Sequence, residues 1–97
     1  VLQIKARHLA SWTEKLRGLA GIKKIYPVYF ETRLGIHTFG MKQSIDVMVL
    51  DSKNRIVIIR KNLGPNKIFV WNPKYAKVVE LPAKKYKFTQ GQEVALS

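Results

Sequence analysis

Cysteine is absent, histidine occurs only twice, and 6 acidic residues stand against 18 lysines and arginines in 97 residues. Without cysteine there is no disulfide scaffold, no thiolate zinc site and no cysteine nucleophile. His8 and His37 cannot build a histidine-rich metal site within one chain, and neither sits in an H-x-H or H-E-x-x-H pattern. No metal and no cofactor is expected. Long apolar runs are missing too. Runs such as Val47 to Leu50 and Ile56 to Ile59 are strand-sized, far short of the ~18 residues that a membrane helix needs, so no membrane span is expected. No Gly-x-Ser-x-Gly elbow and no glycine-rich phosphate loop ending in Gly-Lys-Ser/Thr occurs. No secretory pattern opens the chain, which leans toward a cytoplasmic home, while a start at Val1 rather than Met leaves room for a leader or anchor upstream.

What is present is a 46% hydrophobic chain with a formal net charge of +12. That apolar fraction is too high for a disordered basic tail, and the length suits a single domain spanning residues 1–97. A domain this small holds one modest core and no large enclosed substrate cavity. Its positive field favours polyanions: nucleic acid, acidic lipid headgroups or acidic proteins. The plainer reading is that the lysines keep the domain soluble. Nothing in the sequence sets the oligomeric state.

Hydrophobic periodicity gives the elements. Leu2, Ile4 and Ala6 alternate with Gln3, Lys5 and Arg7, the pattern of a half-buried strand. Ser11-Trp12-Thr13-Glu14 is a capping box, and Trp12, Leu16 and Leu19 follow at helical spacing, so a short helix is expected from Trp12 to Ala20. Beyond it the pattern turns to strands: Val28 to Thr32, Gly35 to Phe39, and the paired runs Ile45 to Leu50 and Arg55 to Arg60. Asp51-Ser52-Lys53-Asn54 joins those two runs as a hairpin loop. Asn62 to Asn66 reads as a loop and Ile68 to Trp71 as a short edge strand. Tyr75 to Leu81 reads as a central strand, and Lys85 to Thr89 and Val94 to Leu96 as the last two. Many short strands and one helix predict a mainly β fold, a compact antiparallel sandwich or barrel with one short N-terminal α-helix.

Four segments, in order, resemble a known family. They are Leu16-Arg17-Gly18-Leu19, Met41-Lys42-Gln43 before Ile45-Asp46-Val47, Asp51-Ser52-Lys53-Asn54-Arg55-Ile56-Val57, and Val78-Val79-Glu80-Leu81-Pro82-Ala83. Their order and spacing resemble the domain-of-unknown-function family 192 over nearly the whole chain. The resemblance implies a mainly β, sandwich-like domain and carries no activity. There are departures. Gly40 stands where that family has tryptophan, Gln43 replaces asparagine, and Lys84 replaces the glycine after the Pro-Ala pair. The proline-rich loop after the hairpin shrinks to Gly64-Pro65.

Two acids lie inside apolar strands: Asp46 between Ile45 and Val47, and Glu80 between Val79 and Leu81. A buried carboxylate costs several kcal/mol unless it is hydrogen-bonded or paired. Met41, Asp46 and Glu80 therefore form a candidate ligand pocket, with the acids as acceptors or acid/base groups. The alternative is that each acid accepts loop amides or pairs with an arginine such as Arg17. A second cue interleaves lysines with aromatics. Trp71, Tyr75, Lys84, Lys85 and Lys87 are candidates for a single-stranded nucleic-acid surface, although strand alternation would turn Tyr86 and Phe88 inward. With no assembled nucleophile, metal or phosphate motif, the sequence leans away from an enzyme. The expected function is a non-catalytic ligand-binding or interaction module. The alternatives are a small hydrolase or carbohydrate-acting enzyme using Asp46 and Glu80, and a non-specific nucleic-acid binder acting through the basic surface.

Overall fold

A computed structural model of the chain describes residues 1–9, 26–33 and 35–97. Its centre is a five-stranded mixed sheet. The strands in chain order are β1 (Leu2–Ile4), β2 (Arg7–His8), β3 (Val28–Glu31), β4 (Ile36–His37), β5 (Ile45–Leu50), β6 (Ile56–Leu63), β7 (Ile68–Phe69), β8 (Lys77–Pro82) and β9 (Val94–Leu96). The central sheet runs β2-β3-β8-β5-β6, β1 pairs with β9, and β4 pairs with β7.

All six residues of β5 are buried, because apolar layers cover both faces of the sheet. A strand in that position reads as a continuous hydrophobic run rather than as an alternation. On one face Ile45, Val47 and Val49 meet Val28, Phe30 and Val78, covered by Leu9, Ile36 and Met41 with Phe69, Trp71 and Tyr75. On the other, Met48 and Leu50 meet Ile56, Val79 and Leu81, covered by Ile4, Val94 and Phe88 with Leu2, Tyr86 and Leu96. The β4–β7 ribbon thus lies over the first face and the β1–β9 ribbon over the second. Each fully buried Val, Ile or Leu contributes about 1.5–3 kcal/mol, so both layers hold the central strands.

The hairpin β5–β6 is antiparallel, with Met48 opposite Ile59 and Val49 opposite Ile58. Its turn is built by Asp51, whose Oδ1 accepts the amides of Lys53 and Arg55, both at 2.9 Å. Asn54 takes φ 60° there, a left-handed conformation that asparagine tolerates better than most residues.

Several expectations are corrected. Among the described residues the sheets are not closed, β2 and β6 being the outermost strands of the central one, and the architecture is one sheet flanked by two ribbons rather than a barrel or two packed sheets. Nor is the pairing wholly antiparallel, since β1–β9 and β2–β3 run parallel. No helix occurs among the described residues, and Trp12 to Ala20, where the N-terminal helix was expected, lies outside them. β6 runs on to Leu63, into the expected Asn62 loop, and Lys85 to Thr89 forms no strand. Periodicity failed at Lys85 because Tyr86 and Phe88 pack on the second core layer from irregular backbone. Inward aromatics do not require a ladder.

Candidate anion-binding surface

Asp46 sits in β5 where the register with β6 breaks. Val47 pairs with Arg60 and Ile45 with Leu63, so Lys61 and Asn62 both stand opposite Asp46. Such a bulge takes a backbone amide out of the ladder. The Asp46 carboxylate supplies the missing acceptor: Oδ1 receives the Asn62 N–H at 2.8 Å and Oδ2 the Lys84 N–H at 3.1 Å. Both donors have left-handed backbones, with φ 54° at Asn62 and 66° at Lys84. One buried side chain therefore fixes two irregular pieces of backbone, one within β6 and one just past the end of β8.

Thr38 does similar work for the neighbouring loops. Fully buried, its Oγ1 donates to the Gly64 carbonyl at 2.7 Å and accepts the Lys67 N–H at 2.8 Å. Its own carbonyl receives the amides of Met41 and Asn66. The turn at residues 38–41 and the loop at 64–67 are thereby joined where β6 ends.

These clamps gather cations at one end of the sheet. Strand β5 begins there at Ile45, beside Leu63 and Pro82. Lys42, Lys61, Lys67, Lys84, Lys85 and Lys87 all lie on the segments that meet at this end, and all are exposed. The Lys61 ammonium rests over the Phe88 ring, 4.3 Å from its centroid, which ties the 84–88 segment to β6. The acids are distributed the other way. Asp46 and Glu80 are buried at 2% exposure each. The remaining described acids, Glu31, Asp51 and Glu93, lie at the opposite end: Glu31 pairs with Lys77, Asp51 builds the hairpin turn, and Glu93 bridges Arg55. At the lysine-rich end no described acid reaches solvent, so the positive field there is undiluted.

The structure separates the residues of the candidate pocket. In the β5–β8 register Asp46 faces Leu81 while Glu80 faces Val47. Leu81 belongs to one core layer and Val47 to the other. Asp46 and Glu80 therefore point to opposite faces of the sheet and share no cavity. Met41 is buried on Glu80's side. Arg17, an expected partner for the acids, lies outside the described residues. The aromatic candidates are committed elsewhere. Trp71 is half-buried against the first core layer, its ring tilted on Phe69, and its Nε1–H donates to the Tyr75 carbonyl at 2.6 Å. Tyr75 packs on the same layer. Of the nucleic-acid candidates, Lys84, Lys85 and Lys87 fall together. Sequence reading missed Thr38, Lys42, Lys61 and Lys67 as their companions, because only the tertiary clamps bring these four segments to one end.

Among the described residues no group of three metal-ligating side chains comes together, and no helix is long and apolar enough to cross a membrane. A small open notch of about 160 Å³ lies at the far end, between Glu31, Asp51 and Lys77.

The fold has a solved counterpart. A crystal structure of a protein of unknown function from Novosphingobium aromaticivorans DSM 12444 is similar to this chain at TM-score 0.72 and 12% identity, over 84% of this chain and 64% of that one. At such identity the fold alone is shared, and this chain spans less than two thirds of that protein. No family model matches the chain. No curated protein matches it either. These comparisons therefore do not show membership of the domain-of-unknown-function family 192.

Proposed function

We propose that this chain is a non-catalytic binding module that holds an anionic partner at the lysine-rich end of its central sheet. The observation that carries this reading is the segregation of the exposed acids from one cluster of lysines. Six exposed lysines meet at one end, and the exposed acids among the described residues lie at the other. Lysines spread merely for solubility would have acids interspersed with them. Anchored loop backbones support the same reading, since two buried polar side chains, Asp46 and Thr38, bond to the backbone of the lysine-bearing segments. An anchored backbone lowers the cost of ordering these segments against an anion. A paired-carboxylate enzyme gains no support, because Asp46 and Glu80 face away from each other.

The test is elution from immobilised heparin. Lys61, Lys85 and Lys87 are changed together to Glu and compared with Arg33, Lys53 and Lys74 changed to Glu. The second set is exposed and lies at the far end, so both variants carry the same net charge. The lysine-end variant should elute at far lower salt than the control. Equal elution would remove the localised site and leave only diffuse charge.

A further inference from the structure

Apart from Val1, the exposed large hydrophobic residues among those described are Phe39, Ile68 and Val70, at 49%, 67% and 63% exposure. Ile68 lies in β7, Val70 comes directly after that strand, and Phe39 stands two residues past β4. His37 pairs with Ile68, and Phe39 stacks on His37 with ring centroids 5.2 Å apart. Alternation turns Phe69 and Trp71 onto the core while Ile68 and Val70 face outward. Gly35 lets the ribbon close, since a Cβ there would stand 2.6 Å from the Phe69 carbonyl oxygen and 2.8 Å from Val70 Cγ1. The ribbon is thus built firmly with apolar side chains outermost.

This apolar face adjoins the lysine-rich end. Lys67 immediately precedes Ile68, and its backbone N–H and carbonyl both bond to Thr38, the residue before Phe39. Lys42 follows on the same turn, whose Met41 amide bonds to the Thr38 carbonyl. Building on the polyanion reading above, we infer that the partner is an anionic lipid surface. Phe39, Ile68 and Val70 enter the headgroup–acyl boundary while Lys42, Lys67 and the neighbouring lysines contact the headgroups. Each half of the surface supplies what the other lacks. Interfacial binding combines buried apolar area with attraction to anionic lipids. A nucleic-acid backbone offers nothing to branched aliphatic side chains, and bases stack on aromatic rings rather than on Ile or Val. A second copy would bring its own lysines against these, which like-charge repulsion opposes.

Co-sedimentation with vesicles tests the inference. Phosphatidylcholine vesicles are compared with vesicles in which about a third of the lipid is phosphatidylglycerol. The proteins are wild type, the Lys61/Lys85/Lys87→Glu variant, a Lys42/Lys67→Glu variant, and Ile68→Ser combined with Val70→Ser. The last two sites are exposed, and thermal melts confirm that the variants fold. Wild type should bind the anionic vesicles and not the neutral ones. The serine pair should lower the partition coefficient about tenfold, and the Lys42/Lys67→Glu variant should abolish binding. Anionic-vesicle binding unaffected by the serine pair would overturn the inference. So would a duplex oligonucleotide bound through the lysines with no vesicle binding, or self-association that the serine pair abolishes. Those three results leave the polyanion reading standing. If neither heparin nor vesicles respond to either lysine variant, both readings fall.

Discussion

The Asp46 carboxylate accepts the backbone amide of Lys84 at 3.1 Å, and Lys84 holds a left-handed backbone at φ 66°. A lysine at that φ costs about 1 kcal/mol, which glycine would avoid. Substituting Lys84→Gly should therefore stabilise the fold by about 0.5–1 kcal/mol, read as a higher urea midpoint, while weakening retention on heparin. Stability and binding moving in opposite directions would mark a residue kept for its charge. A variant less stable than wild type would show that the side chain itself supports the fold.

Asp46→Ala removes acceptors from two backbone amides at once. An unsatisfied buried group costs about 1–3 kcal/mol, so a loss of about 2–4 kcal/mol is expected by chemical denaturation, with Asp46→Asn intermediate. The separation of Asp46 from Glu80 across the sheet makes this a structural role. A stable Asp46→Ala protein would contradict it.

Thr38→Val keeps the shape and removes the hydroxyl, leaving the Lys67 amide and the Gly64 carbonyl without that partner. The expected loss is about 1–3 kcal/mol. Faster hydrogen exchange at residues 64–67 should accompany it, with β8 unchanged.

At the hairpin turn the amide of Arg55, helped by that of Lys53 and by the Arg55 guanidinium, holds the Asp51 carboxyl below its ordinary value of 3.8, although burial pushes the other way. A folded value below the unfolded one stabilises the protein above the unfolded pKa, and that contribution is lost as pH falls through the folded value. The melting temperatures of wild type and Asp51→Asn should therefore converge on acidification below 3.8. A constant gap would mean that the charge is not what holds the turn.

Much of this architecture is legible in the sequence. The two apolar, β-branched runs around the Asp51 turn give the β5–β6 hairpin, and the apolar run before Pro82 gives the central strand β8. The parallel pairs β1–β9 and β2–β3 are not legible, because each joins segments remote in the chain whose side-chain patterns carry no partner information. That Asp46 and Glu80 are embedded in apolar strands is visible in the sequence. Their opposite facing is not, because it depends on the register between β5 and β8. Lysines at 42, 61, 67 and 84 converge only through Thr38 and Asp46, whose bonds bring distant loops together. The exposure of Ile68 and Val70 could have been read from their two-residue spacing, but which side faces out is settled by Phe69 and Trp71 packing on the core.

Mapping the surface in solution tests the lysine-rich end most directly. Backbone amide resonances are followed while short heparin fragments are titrated in at physiological salt. Shift changes should concentrate at residues 42, 61, 67 and 84–87, leaving the amides of Lys53 and Lys74 nearly unmoved. Changes of equal size at both ends of the sheet, or confined to the Asp51 turn, would contradict a localised anion-binding surface.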